Sequence, residues 1–504
     1  MITNTENQLL TQTNRGTPAG ELLRRYWQPV ALSSELSAGG APLCVKILGE
    51  MLALFRDDHG RLGLLSLHCS HRGTDLSYGR IEDGGLRCLY HGWLYDIHGR
   101  CLEQPGEPGG GANRGAIRHR AYPCQEQGGV IFTYMGPGDA PLLPRYEFLH
   151  QAPGHCCVYK VYHECNYLQA NEGNIDPVHL SFLHRFLEHK DERYTGVRGT
   201  EESHYNLIAK AQPPSLDVEV TDFGVRIYSV RRIGKDKIYL RVSNFILPNL
   251  STFPGQTGGQ GYGINWHVPI DDTHHWKYCF FFNREAPLDQ AVIDKSLSEV
   301  DERYRPVRSE SNRFMQNRAA MKTQTYTGMG SGFQTHDVFA TTSQGAVQDR
   351  TGENIASSDI AIVAARKLMQ KAIRDIQEGR DPPHVLRQAE QNNLSHLLVI
   401  SDLLCGVSDW KAYTRQQATG NRQRAIGKSK LSESFSVRSI ACCLEPIAFF
   451  SRFKIRISRL GGFSLVIRHQ FGSRHFMHPD RFGEAPQRKW MRSERVELAV
   501  ILGR

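Results

Sequence analysis

The sequence predicts an α+β protein: a small antiparallel β domain carrying two Cys/His loops, then a larger antiparallel sheet with helices flanking it. Three observations carry that reading. Short alternating segments with turn residues between them fill residues 40–150. Further strand-like runs recur between about 205 and 285, and a helical face with capping and stop signals follows near residue 360. With 504 residues, 40 % hydrophobic and 22 % charged, the chain has the composition of a soluble globular protein and room for two or three domains.

Residues 1–38 read as a helical lead-in, with Glu21 to Trp27 before Pro29 and Trp27 as a packing anchor. Residues 39–150 form the first domain. Val45 to Gly49 and Met51 to Phe55 read as strands, and Asp57-Asp58-His59-Gly60 as a turn. Gly109-Gly110-Gly111 follows Pro105 and Pro108 and opens no helix, so it reads as a loop and not a phosphate cradle. Residues 151–404 form the second domain, with strands at Val218–Val220, Phe223–Tyr228 and Trp276–Phe282. The run Gly258 to Gly263 reads as a loop between strands. After Ser357-Ser358-Asp359, Ile362, Ala365, Met369, Ile373 and Ile376 mark one helix face, which Gly379 and Pro382 end.

Residues 405–504 carry 19 Lys/Arg and 7 Asp/Glu, a balance of +12, which leaves the other 404 residues at −3 of the total +9. A near-neutral body gives no reason to invoke nucleic acid. The tail reads either as a basic arm for an acidic electron-transfer partner or as a divergent, even frameshifted, extension without an evolved fold; the second reading is favoured. No run reaches the ~18 apolar residues of a membrane span. The start has no signal-peptide pattern, so a cytoplasmic protein is expected. Twelve Cys in so long a chain do not indicate a disulfide framework. Cys44, Cys101, Cys124, Cys156, Cys157, Cys165 and Cys279 are expected to be buried thiols and not ligands.

Chemistry concentrates at Cys69-Ser70-His71 and Cys88-Leu89-Tyr90-His91. Two thiolates for one iron and two imidazoles for the other are what a Rieske-type [2Fe–2S] cluster needs. A Cys₂His₂ zinc site uses the same side chains, but it normally groups like ligands, whereas each arm here carries one of each. Gly73 and Gly92 are expected to let the backbone pass close to the cluster. A second cluster of interest is Glu172, Asp176, His179 and His184, with Asp176-Pro177 as a helix start. His179 and His184 lie about 140° apart on an ideal helix. On spacing alone, they are either unrelated or gathered on one metal by a bend.

The loops Cys69 to Gly73 and Leu86 to Asp96, with E-x₃-D-x₂-H-x₄-H at Glu172 to His184, resemble the motifs of Rieske non-haem iron oxygenases. Gln334 to Ile362, Asn7 to Thr11 and Arg25 to Val30 are similar to the phthalate 4,5-dioxygenase branch, so the resemblance covers roughly residues 1–400. It implies a Rieske [2Fe–2S] domain followed by a helix-grip-like catalytic domain. It also implies a cluster held by Cys69, His71, Cys88 and His91, and mononuclear Fe(II) held by His179, His184 and a distant carboxylate. Asp337 is chosen as that carboxylate; Asp349 and Glu353 are the fallbacks, expected otherwise in an Arg350-linked network. Asp176 would bridge an iron His to the cluster's His91 in a neighbouring subunit, which implies a homotrimer. Asn171 stands where an apolar residue is expected.

The activity implied is O2-dependent hydroxylation of a small aromatic compound, with an aromatic carboxylate such as phthalate the expected class. The sequence has no flavin or nicotinamide fingerprint and no C-x₄-C-x₂-C run, so a separate NAD(P)H-dependent flavin/iron–sulfur reductase is implied. A Rieske monooxygenase performing O-demethylation or methyl hydroxylation would carry identical motifs. An electron carrier or an inactive relic are the readings from other classes, and the ~250 residues around the second site argue against the carrier.

Overall fold

The computed structural model describes residues 2–187, 197–255, 260–394, 396–406 and 409–418. These lie within one compact unit, Met1–Arg424. The basic tail beyond 418 and much of the glycine run after Gly255 lie outside the described residues.

The lead-in holds α1 (Asn4–Thr11), capped by Thr3 and Glu6, and α2 (Pro18–Arg24), capped by Thr17 with Pro at its first turn. Strand β1 (Gln28–Leu32) follows, buried along its whole length. Trp27 is buried and donates its indole N–H to the Pro141 carbonyl at 2.8 Å. Next come β2 (Leu43–Ile47), β3 (Glu50–Arg56) and β4 (Leu62–Ser66), a meander whose second turn includes Asp57 to Gly60. The small strands β5 (Arg80–Glu82), β6 (Gly85–Arg87), β7 (Leu94–Tyr95) and β8 (Cys101–Glu103) form a second four-stranded sheet. Strand β9 (Ala121–Tyr122) pairs with β4, while β10 (Cys124–Gln127) and β11 (Val130–Thr133) make a three-stranded sheet with β1. Cys44 is exposed, contrary to expectation, because Leu43 and Val45 turn inward and alternation sends Cys44 out.

The second half is built on one large antiparallel sheet. Strand β12 (Cys156–His163) leads into α3 (Tyr167–Asn174), and α4 (His204–Lys210) precedes β13 (Ser215–Val220). The sheet continues through β14 (Gly224–Ile233), β15 (Lys237–Ile246), β16 (Leu250–Phe253), β17 (Gly263–Asp271) and β18 (His274–Phe282). Helices α5 (Gln290–Leu297), α6 (Phe333–Thr342) and α7 (Ile360–Gln377) follow, and β19 (Ile400–Cys405) returns to pair with β15. Strand order is β12-β18-β17-β16-β15-β14-β13. Alternation divides β18 between two layers: Tyr278, Phe280 and Phe282 enter the main core, whereas Cys279 and Phe281 pack with Val338 of α6. On α7, Ala365, Met369 and Ile373 are buried as their spacing predicts. Lys46 at the end of β2 pairs with Asp271 at 2.7 Å, tying the N-terminal hairpin to the large sheet.

Candidate metal centres

Both Cys/His loops close in the same way. The Cys69 N–H donates to the Thr74 carbonyl and the Gly73 N–H returns to the Cys69 carbonyl, each at 2.9 Å. Cys88, Trp93 and Gly92 repeat this at 2.9 and 3.0 Å. Gly73 and Gly92 have φ of +77° and +74°, the left-handed conformation that the return bond needs. No protein atom lies within 4 Å of where a Gly73 side chain would start, so its positive φ is what the turn itself requires of that position; at Gly92 a side chain would meet Pro105.

Cys69 and Cys88 are buried, the His71 and His91 rings lie 4.4 Å apart, and His71 stacks on Trp93 at 4.5 Å. The His71 Nδ1 is buried without a hydrogen-bond partner, as a nitrogen kept for a metal would be. Burial, then the neighbouring His71 and Arg72, lower the His91 pKa, which favours the neutral imidazole that ligation needs. The donor set therefore fits a Rieske cluster. Three supports were not legible in the sequence. The Tyr95 hydroxyl lies 3.2 Å from Cys69 Sγ. Arg87 donates to the Gly92 carbonyl at 2.8 Å. His119 Nε2 donates to the Ser66 carbonyl, which leaves Nδ1 to accept from the Ser70 hydroxyl, both at 2.7 Å.

At the second site α3 stops at Asn174, and no α-helix starts at Asp176-Pro177. Asp176 instead accepts from the Val178 N–H at 2.7 Å, and buried Arg231 takes the Pro177 carbonyl at 2.8 Å. A single 3₁₀ turn, His179–Ser181, follows, and the Leu183 N–H returns to the His179 carbonyl at 2.8 Å. This compact turn, and not a bent α-helix, carries His184 back toward His179, with ring centroids 5.0 Å apart. Asp337, on α6, completes a set whose donor atoms all lie within 4.8 Å of one another. His184 Nε2 stands 3.0 Å from Asp337 Oδ1, the separation expected of two neighbouring ligands about 2.1 Å from one metal. The set fits a facial two-His-one-carboxylate iron site.

The proton assignment follows from the partners. His336 Nε2 faces the Gly330 carbonyl at 3.0 Å and so carries a proton. Its Nδ1 then accepts from His184 Nδ1 at 3.2 Å, leaving His184 Nε2 a free lone pair toward Asp337. Burial would raise the Asp337 pKa, but a protonated His184, then Lys277 and a protonated His179, would hold it well below the carboxylate range. In the neutral His184 tautomer that leaves a lone pair for a metal, Lys277 remains as the cation beside it. Lys277 is fully buried with its Nζ 3.8 Å from Asp337 Oδ2. Asp176 Oδ2 lies 3.7 Å from His179 Nδ1, a charge contact too long for a hydrogen bond.

Glu172 stands apart from this set. Its carboxylate accepts from Arg350 Nη2 at 2.8 Å and Arg366 Nε at 2.6 Å. Arg350 pairs directly with Glu172, and Glu353 joins the same network through Arg366 as expected, whereas Asp349 stands outside it and caps Thr351. Asn171 is buried on α3 with its carbonyl oxygen unpartnered. Beside the three donors opens a cavity of about 120 Å³, lined by Leu180, Phe253, Phe333, Asn265 and Arg241 among others. Among the described residues the Arg241 guanidinium meets neutral acceptors: a His204 ring nitrogen at 2.9 Å, the Tyr239 hydroxyl at 3.1 Å and the Pro254 carbonyl at 3.0 Å.

The family model of the Rieske [2Fe-2S] domain matches residues 26–123, and the one described as LigXa C-terminal domain like matches residues 133–433. The phthalate 4,5-dioxygenase oxygenase subunit of Pseudomonas putida is 33 % identical over 82 % of this chain and 95 % of its own length. The phenoxybenzoate dioxygenase subunit alpha of Ectopseudomonas oleovorans is 35 % identical over 75 % and 87 %. The 5,5'-dehydrodivanillate O-demethylase oxygenase subunit of a Sphingobium strain is 29 % identical over 78 % and 85 %. Among solved structures, dicamba monooxygenase aligns with a TM-score of 0.50 at 18 % identity, over 71 % of this chain and 99 % of its own, a likeness of fold. A Rieske [2Fe–2S] cluster and a mononuclear iron are the cofactors of such proteins, and the two donor sets fit them. The chain thus belongs to the Rieske non-haem iron aromatic ring-hydroxylating oxygenases, as an oxygenase component of the phthalate 4,5-dioxygenase-like branch.

Proposed function

We propose that the protein hydroxylates an aromatic carboxylate, with Cys69, His71, Cys88 and His91 holding the cluster and His179, His184 and Asp337 holding the iron. When bound, the two cofactors supply one-electron transfer and oxygen activation. The protein's own contribution is to hold, orient and exclude water. His336 fixes the His184 tautomer, and the buried Lys277, 3.8 Å from Asp337, adds to the positive surroundings that favour an ionised carboxylate there. Leu180, Phe253 and Phe333 give the cavity apolar walls suited to an aromatic ring.

The observation that carries the substrate class is Arg241. It lines the cavity, and its hydrogen-bond partners among the described residues are neutral, so a substrate carboxylate would be a fitting counter-charge through a charge-assisted fork. The exposed Leu89 and Tyr90 beside His91, and exposed Phe182 near Asp176, support a homotrimer in which Asp176 reaches the neighbouring cluster. A separate flavin/iron–sulfur reductase would deliver electrons, in a cytoplasmic setting.

The test is turnover of a panel of aromatic carboxylates and their uncharged analogues with a surrogate reductase and ¹⁸O2. A cis-diol carrying two labelled atoms, with KM raised about 10- to 100-fold by Arg241→Gln for the carboxylate alone, is expected. Equal turnover of uncharged analogues would overturn the carboxylate assignment. The O-demethylase relative favours one second reading, monooxygenation, which a single labelled atom and released formaldehyde would reveal.

A further inference from the structure

A second group of donors lies in the polar layer between the large sheet and α3. His163 of β12 and His275 of β18 face each other across the sheet register, and Cys165 follows two residues after His163. One donor atom from each lies within 4.8 Å of the others, and all three residues are buried. His163 is 1 % exposed, yet neither of its ring nitrogens has a hydrogen-bond partner. A structural histidine in a dry interior ordinarily has at least one nitrogen bonded. His275 Nδ1 donates to the Cys165 carbonyl at 2.8 Å, which leaves its Nε2 a lone pair. His267 Nδ1 lies 3.1 Å from that nitrogen, while His267 Nε2 donates to Asn174 Oδ1 at 2.8 Å. Two lone pairs therefore face each other, and an electropositive third party would relieve both them and His163.

We propose that His163, Cys165 and His275 form a buried site for a thiophilic closed-shell cation, copper(I) or zinc(II), separate from the iron-site residues His179, His184 and Asp337. A thiolate with two imidazoles is a donor set that favours these ions over iron(II) or magnesium. Three ligands suit copper(I), whose charge the thiolate cancels beside the buried Lys277 ammonium. Zinc(II) would call on a fourth ligand, for which His267 is the neighbour at hand. Because the donors are enclosed, loading accompanies folding, and the site would stabilise the junction from which α3 leads to the iron-site turn.

The test uses full-length protein expressed in medium supplemented with copper or zinc, purified, washed with chelator and analysed for copper, zinc, iron and sulfide. A His184→Ala background removes the competing site. About one copper or zinc ion per subunit is expected there, falling below about 0.1 when Cys165→Ser or His163→Gln is added. The Rieske absorption reports the folding of the cluster domain, and a cooperative thermal unfolding transition with wild-type circular dichroism reports that of the large sheet in each variant. X-ray absorption separates the ions: a three-coordinate copper(I) edge with one sulfur assigns copper, a four-coordinate zinc spectrum assigns zinc and His267. Preparations with a complete cluster but no copper or zinc, or with the same content in the Cys165→Ser and His163→Gln variants, overturn the proposal. The iron reading is tested independently by nitrosyl EPR.

Discussion

Glu172→Gln separates a structural carboxylate from a ligand. Glu172 sits in the motif that also contains His179 and His184, yet its oxygens are spent on Arg350 and Arg366. All three groups are nearly inaccessible to water, so the substitution strands charge in a poorly solvated interior. Breaking one side of such a buried arrangement costs about 3–5 kcal/mol. Arg366 would keep Glu353, and Arg350 would keep Asn7 Oδ1 at 3.1 Å and the Gln348 carbonyl at 3.3 Å. These remaining partners place the expected loss at the lower end, about 3 kcal/mol. Chemical denaturation of the variant and wild type at pH 7 measures it, with nitric-oxide EPR reporting the iron on the folded fraction.

The pH dependence adds a sign. Burial alone would raise the Glu172 pKa, but the two arginines hold it below its ordinary 4.5. Its stabilisation is thus fully present above pH 4.5 and is lost as pH falls through the folded-state value, so the difference between the two proteins shrinks in acid. A loss under 1 kcal/mol, or a stable variant without the iron–nitrosyl signal, would refute the structural assignment.

Other outcomes follow from the same geometry. Asp337→Ala should abolish the nitrosyl signal while leaving the Rieske EPR signal in place. His336→Phe removes the acceptor that fixes His184 and should weaken iron binding about 10- to 100-fold in chelator competition; an unchanged affinity would show that His184 is held by other contacts. Tyr95→Phe deletes a hydroxyl 3.2 Å from Cys69 Sγ. A hydrogen bond worth about 1 kcal/mol more to the reduced cluster corresponds to roughly 40 mV, so voltammetry should find the potential lowered by that order.

What the sequence determined by itself was local. Each of the cluster loops spans only a few residues, so ligand type, spacing and the turn glycines are all visible in a short window at Cys69–Gly73 and Cys88–Gly92. The face of α7 and the alternation of β18 were legible for the same reason, since a period of 3.6 or 2 needs no partner to be recognised. Family resemblance pointed to His179, His184 and Asp337 as a second donor set, and the fold brings the three together, but the turn joining the two histidines was misread as a helix. Pro177 after Asp176 is a sound helix start locally; Arg231, on a strand more than fifty residues away, claims the Pro177 carbonyl.

Tertiary structure alone decided the rest. Glu172 meets Arg350 and Arg366 across nearly two hundred residues, and Arg241 becomes a cavity residue only when β15 stands beside the His179 turn. Cys165, indistinguishable in sequence from the other thiols, gains His163 and His275 through the pairing of β12 with β18. Charge neutralisation, desolvation and ligand convergence depend on distances of a few ångströms between residues far apart in the chain. Sequence spacing carries no such distances, and the packing of the sheet against α3 and α6 supplies them.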